Sequence, residues 1–406
     1  VTILADTKAN NEEVVTVNGG ASDLAVSPSG KEVAFVARGE VFVTSVEGGV
    51  TKRITRTPER EAHVSFSPDG KTLLFSSERD GGWGIYTAKR VREEEPHFYA
   101  STLIAETRLM DDDHEYSQPL FSPDGKEIAF VRDRSSVAVY NMESQETRTL
   151  LGPDQVFSSR IGGQYFRWSP DGQWLLFDYS IPGFAPGEVG LVKTDGSGEI
   201  VNLTQSGFRD YRGQWVLGGQ ALLWFSNRDG LKSAAQSGGT QADVYAMFLT
   251  QDAWDRFRLS KEDYALLKEQ EDKKKPKADS TKADTATADL AEPVALDLEG
   301  VELRKARLTI HSASLGGALL SKDGETLYYL ARFERGYNLW STNVRTRETK
   351  MVATLNAGGG SMVWDKDQKN IFLLASGSIS KVDPASGKRD NVTIRGEMTI
   401  DRAAEQ

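Results

Sequence analysis

The sequence predicts an all-β fold, a seven-bladed β-propeller of four-stranded antiparallel blades, with a helical and partly disordered insertion in blade five. Three observations carry this expectation. A turn tetrapeptide recurs along the chain, each copy stands between two apolar strand-like runs, and two more strand-like runs complete each unit. Four short strands in a unit of about 45 residues is the arithmetic of a propeller blade.

The turns come first. In order they are SPSG at 27–30, SPDG at 67–70, 122–125 and 169–172, a degenerate VLGG at 216–219, SKDG at 321–324 and DKDQ at 365–368. Before them stand DLAV, HVSF, QPLF, YFRW, RGQW, GALL and SMVW, the predicted innermost strands. After them stand KEVAFVA, KTLLFSS, KEIAFVR, QWLLFDY, ALLWFSN, TLYYLAR and NIFLLAS, the second strands. Third strands are read from EVFVTSV, GIYTAKR, VAVYNME, EVGLVKT, DVYAMFL, NLWSTNV and SISKVDP. TKRIT, STLIAET, TRTLL, EIVNLT, LRKARLT, TKMVATL and RDNVTI close the units. For the outer strand of the last blade, both 12–17 (EEVVTV) and 389–394 (RDNVTI) are candidates, and the C-terminal one fits the repeat better.

A lone four-stranded blade has two apolar faces, which it buries only against neighbours, so radial closure satisfies every unit. The units fill nearly the whole chain, which predicts one propeller domain over 1–406. Within SPDG, Pro presets φ, Asp bonds local backbone and Gly accepts positive φ, so the motif reads as a turn. Its Ser lacks the G-x-S-x-G elbow of a hydrolase nucleophile. The tryptophans Trp168, Trp174, Trp215, Trp224, Trp340 and Trp364 fall within strands, where packing between blades accounts for them.

Between Thr250 and Val301 the fifth unit is interrupted after its third strand, giving an insertion over 251–300. SKEDYALLKEQEDKKK predicts a helix, with Ser260 and Asp263 as a capping box, Tyr264, Leu266 and Leu267 as an apolar side, a basic last turn and Pro276 as its stop. KKKPK, 273–277, reads as a solvated helix end. Residues 277–293 lack aromatic side chains and are nearly devoid of large aliphatic ones, a composition expected to be disordered. Docking of the helix on the propeller or on a separate domain stays open.

Composition narrows the function. A net charge of −10 and a pI near 5.2 argue against a nucleic-acid surface. Without cysteine there is no disulfide, thiolate nucleophile or Cys-based zinc site. No apolar run is long enough to span a membrane. None of His63, His97, His114 and His311 stands in a metal-ligand spacing, and the polar cluster 110–117 (MDDDHEYS) reads as a solvated loop. No catalytic residue, cofactor or metal is assigned. The chain opens on Val, so it is expected to be a mature or excised segment.

The repeated SPDGKxIAF pattern with LT-ending outer strands resembles the propellers of TolB-type proteins, prolyl oligopeptidase relatives and tricorn-type peptidases. GKEVAFVARGEVFVTSVEGG with TKRITRTPE (30–59) is similar to the opening blade of the second, seven-bladed propeller of tricorn-type serine peptidases. AWDRFRLSKEDYALLKEQED with DLEGVELRKARLT resembles that propeller's helical insertion and exit strand, and 398–406 (MTIDRAAEQ) resembles the segment leading to the peptidase half. The resemblance implies a non-catalytic propeller that gates or guides peptides to an active site beyond residue 406, with 397–406 starting the linker. Its partners would be peptide substrate and the peptidase half. The alternatives are a freestanding TolB-like periplasmic protein-binding propeller and the propeller of a prolyl oligopeptidase or dipeptidyl peptidase-like hydrolase. The localisation implied is periplasmic, with cytoplasmic as the alternative.

In a propeller, the loops leading into inner strands share one face with the loops joining second to third strands. Loops on a rigid scaffold carry function. The candidate peptide-binding residues at this mouth are His114, Tyr116, Arg209, Tyr211 and Arg212, Arg for carboxylates and Tyr for flat apolar contact.

Overall fold

A computed structural model describes residues 12–156, 162–179, 187–232, 240–274 and 291–401. The seven predicted units each form a four-stranded antiparallel sheet whose strands pair in chain order. Blade 1 comprises Ala25–Val26, Glu32–Ala37, Glu40–Ser45 and Thr51–Arg53, and blade 2 Glu61–Phe66, Thr72–Ser77, Gly84–Arg90 and Ile104–Arg108. Blade 3 is built from Tyr116–Phe121, Glu127–Arg132, Ser136–Asn141 and Thr147–Leu151, and blade 4 from Phe166–Trp168, Trp174–Tyr179, Glu188–Lys193 and Val201–Asn202. Blade 5 uses Asp210–Val216, Ala221–Ser226, Asp243–Phe248 and, after the insertion, Lys305–Arg307. Ser314–Leu320, Thr326–Arg332, Tyr337–Asn343 and Thr349–Ala357 form blade 6; Gly360–Trp364, Ile371–Ala375, Ser378–Val382 and Arg389–Asn391 form blade 7.

Blade 7 is therefore closed by its own C-terminal strand. Glu12–Val17 pairs instead with Gly396–Asp401 as a separate two-stranded ribbon. Closure of the ring is by packing: Phe35 and Phe42 of blade 1 meet Phe372 and Leu374 of blade 7, and Val17 and Met398 of the ribbon join the same cluster. The remaining clusters likewise lie between neighbouring blades, for example Phe75 with Val36 and Leu175 with Val131. Because both faces of each blade are covered, middle strands such as Ala221–Ser226 and Asp243–Phe248 are buried along their whole length, with no alternation between core and solvent.

The turns show why SPDG is copied. In blade 2, Ser67 Oγ donates to Asp69 Oδ1 at 2.6 Å and accepts the Thr72 N–H at 3.0 Å, while Asp69 Oδ1 accepts the Lys71 N–H. Ser122 and Ser321 repeat the arrangement in blades 3 and 6. The turn serines are thus hydrogen-bonded within their turns. The turns also stack around the ring: a Cβ on Gly125, at φ 72°, would lie 3.3 Å from Pro68 Cδ of the preceding blade, and Gly70 meets Pro28 in the same way. In the degenerate blade 5 turn Leu217 takes the proline's place, against Gly324.

The LT endings are a second repeated device. Thr55, Thr204 and Thr309 donate through Oγ1 to Glu40, Glu188 and Asp243, the first residues of third strands, and accept the N–H of Val41, Val189 and Val244. Each threonine ties an outer strand to its neighbour at a buried carboxylate.

The insertion contains helices α1 (Gln251–Arg258) and α2 (Lys261–Lys274). Ser260 Oγ accepts the Asp263 N–H at 3.1 Å and donates to its carboxylate at 2.8 Å, so the cap lies where the sequence puts it. Both helices dock on the propeller face that carries the inner turns. Tyr264 is buried there, its hydroxyl donating to Asp323 O at 3.1 Å and its ring 3.9 Å from the Arg345 guanidinium. Leu267 lines the cavity beneath the helices, whereas Leu266 points to solvent, one position off the docked side. Residues 275–290, with most of the low-complexity stretch, Pro276 and the end of KKKPK, lie outside the described residues. Among the described residues no helix is long and apolar enough to cross a membrane.

Candidate functional site

The innermost strands surround an axial cavity of about 660 Å³. Counting back four residues from the first residue of each turn gives Asp23, His63, Gln118, Tyr165, Arg212, Gly317 and Ser361, and every one of them lines this cavity. One register position, repeated by the architecture, thus presents an acid, an imidazole, an amide, a phenol, a guanidinium, a glycine and a hydroxyl around one opening.

At three of these positions the strand bulges, with register shifts between Ala62 and Ser65, Ser117 and Leu120, and Tyr211 and Gln214. His63, Gln118 and Arg212 hold φ of 59°, 55° and 56°, a left-handed conformation that costs a side-chain-bearing residue about 1 kcal/mol or more. Bulges re-aim side chains. The neighbouring blade supports each one. Asp23 Oδ2 accepts the His63 N–H at 2.6 Å, and Asp178 accepts the N–H of Arg212 at 2.8 Å and of Gly213 at 3.4 Å. The Gln118 amide bonds both the C=O and the N–H of Gln164, at 2.6 and 3.0 Å, pairing with it as a strand would. Arg212 Nη1 donates to Gly316 O at 2.8 Å and Gln214 Nε2 to Ala318 O at 3.1 Å, so inner-edge carbonyls of blade 6 are covered by side chains of blade 5.

Burial sets the charge states. It pushes the Asp178 carboxyl up to about 7, against the pull of the two backbone N–H groups and of Arg212. It pushes the His63 imidazole down, with Asp23 opposing and Arg60 reinforcing. His63 Nδ1 lies 3.2 Å from Ser76 Oγ, but Ser76 is fully buried and Asp23 meets the His63 backbone rather than its ring. The three do not form a nucleophilic relay.

Of the five residues picked from sequence, Arg212 lines the channel. Arg209 stands next to it at the rim, its guanidinium 5.0 Å from the Tyr211 ring, and Tyr211 packs on Phe225. Tyr116 is buried, donating to the Asp112 carboxylate at 2.7 Å, which with burial raises its phenol well above the usual range. His114 is half-exposed on the same loop, its Nδ1 2.7 Å from Asp133 Oδ2. The polar cluster around it is thus bonded within itself, and among the described residues no three His, Asp or Glu side chains are grouped to hold a metal ion. Sequence reading passed over Asp23, His63 and Gln118; their constant offset from the turn is the signal that finds them.

A family model described as the TolB beta propeller domain (PD40) matches residues 2–150. The Tol-Pal system protein TolB of Bordetella pertussis is 40% identical over 48 residues, 12% of this chain and 11% of that protein. The crystal structure of the tricorn protease superposes with a TM-score of 0.66 at 13% identity, covering 96% of this chain and 36% of that chain. The chain thus spans about a tenth of the curated relatives it matches and about a third of the tricorn protease. An oligogalacturonate lyase from Vibrio parahaemolyticus gives a TM-score of 0.54 at 9% identity, covering 95% of this chain and 91% of that chain. A structure of prolyl endopeptidases gives 0.53 at 10%, covering 95% and 50%. These similarities in structure are similarities of fold. The chain is a seven-bladed propeller whose first three blades carry the sequence pattern of the TolB beta propeller domain.

Proposed function

We propose that this propeller is a non-catalytic, peptide-binding module whose axial channel admits an extended chain and guides it toward a serine peptidase region of a larger, tricorn-like protein. The observation that carries this reading is the ring at one register, where seven blades of repeated architecture present seven different side chains to one opening. Polar groups on strained, cross-braced bulges are suited to hold a polar chain without chemistry. On this reading Arg212 stands in the channel and His114, Arg209 and Tyr211 along the rim of the mouth, with Tyr116 buried behind them against Asp112. Residues 397–406, of which 397–401 belong to the terminal ribbon, would lead on toward the peptidase region.

The test replaces Arg209 and Arg212 together by alanine and measures affinity for a fluorescent unfolded peptide. A loss of about tenfold, the cost of two charge-assisted contacts, is expected; unchanged affinity removes these residues from the site. The match of residues 2–150 to the TolB beta propeller domain favours a second reading, a freestanding protein-binding propeller in the periplasm. Similarity of fold to prolyl endopeptidases supports a third, a propeller serving an α/β-hydrolase, in which G-x-S-x-G would stand elsewhere in the protein. The coding sequence on both sides of the segment separates the three.

A further inference from the structure

We infer that the mouth of the channel is electrically polarised, so that blades 5 and 6 receive the carboxylate end of a peptide with an apolar last residue, while the blade 3 rim receives its amino end. The inference rests on the peptide-binding reading and adds the orientation and chemistry of the bound chain.

The loops and strand ends at the mouth of blades 5 and 6 carry Arg209, Arg228, Lys232, Arg332 and Arg335 against Asp210, Asp229, Asp243 and Glu334, of which Asp210 and Asp243 are buried and paired with Arg228 and Arg307, in a chain whose net charge is −10. Three of these cations lie over aromatic rings that stand in the adjoining strands. Arg209 sits 5.0 Å from the Tyr211 centroid, Arg228 4.8 Å from Tyr245 and Arg332 5.5 Å from Tyr337. Stacking restrains each guanidinium without neutralising it, which lowers the ordering cost of a later carboxylate contact. Arg228 is paired with buried Asp210, whereas Arg209, Arg332 and Arg335 have no carboxylate partner among the described residues. The same rim exposes Phe208 at 37%, Phe333 at 41% and Leu231 at 71%, apolar surface beside unpaired cations. A carboxylate next to a large apolar side chain, the end of a peptide, fits both.

Across the ring, the blade 3 loops present Asp111, Asp113, Glu115 and Asp133. Arg108 and Arg134 offset part of this charge, at 2.9 Å from Asp111 and 3.9 Å from Glu115, and His114 engages Asp133 at 2.7 Å, which leaves Asp113 and Glu115 as the acids most open to a ligand. A peptide with free ends lying across the mouth gains at both rims in one orientation and loses at both in the other. The discrimination is screened beyond about 8 Å at physiological salt, so it acts on ends that reach the rims.

The experiment uses the whole chain and a twelve-residue peptide of neutral side chains ending in Phe, labelled at an internal position. Four forms are compared by fluorescence anisotropy: free ends, C-amidated, N-acetylated and both. Amidation should weaken binding about 3- to 10-fold, and Arg209→Ser with Arg332→Ser should abolish that difference; acetylation should weaken it less, with the difference removed by Asp113→Asn and Glu115→Gln. Equal affinity of the acid and amide forms overturns the inference. If that equality comes with a weakened Gln118→Ala variant, the channel still binds peptide and the functional reading stands. Absence of binding by all four forms removes both.

Discussion

The two faces of the propeller are built from the same strands and obey opposite rules. On the turn face, Ser67, Asp69 and Gly70 recur as Ser122, Asp124 and Gly125, with the same bonds and the same contact to the preceding blade. Toward the other face, at the register four residues before each turn, the seven channel-lining positions carry seven different residues. Where every blade must make one contact with its neighbour, one solution is copied. On the proposed reading a ligand in the channel would touch all the blades at once, so there variety is useful and repetition is not.

The comparison can be broken most severely at the seam that closes the ring. Phe372 is fully buried between blades 7 and 1, and Phe372→Ala should cost about 3–5 kcal/mol in chemical denaturation. A cost under 1 kcal/mol would mean that the terminal ribbon alone holds the ring shut.

Asp178 tests the channel side. Its folded carboxyl titrates near 7, above its unfolded value of 3.8, so the fold binds an extra proton between those values. Its contribution is greatest below pH 4 and is lost as pH rises through 7. Asp178→Asn should flatten that part of the stability profile, by on the order of 1–3 kcal/mol; an unchanged slope would show that the carboxyl is solvated.

Gly125→Ala tests the turn side. At φ 72° and against Pro68, it should cost about 1 kcal/mol and leave peptide affinity unchanged. Gln118→Ala is expected to lower both, because its amide lines the channel and also braces the Gln164 backbone of the next blade. The smallest effect belongs to Leu266→Ala, within about 0.5 kcal/mol because that side chain is 56% exposed. Tyr264→Ala on the same helix should release α2, seen as faster amide exchange in residues 261–274.

The fold was legible because the periodicity is local. Turn residues, strand runs and threonine endings each reflect contacts within one blade or with the next, so even Val216–Gly219 could be placed by its flanking strands. The helix cap at Ser260 was legible for the same reason, since its partners are three residues apart. The docked side of α2 was misjudged at Leu266 because it depends on where blade 6 presents Asp323 and Arg345, far away in sequence.

The site was less visible. Tyr116 and His114 looked like mouth residues because their loop is polar, yet Asp112 and Asp133 engage them from within the same blade. His63 and Gln118 looked like ordinary strand residues, because a bulge leaves no composition signal when the residue at positive φ is not glycine.

From the sequence alone came the number of blades, the order of strands, the turn chemistry and the place of the insertion, all of which follow from short-range pattern. Only the tertiary structure decided that Arg389–Asn391 closes blade 7 while Glu12–Val17 joins Gly396–Asp401, and only it gathered seven dissimilar residues into one channel. The physical reason is that ring closure and channel lining depend on contacts between residues hundreds of positions apart, and such contacts leave no period in the chain.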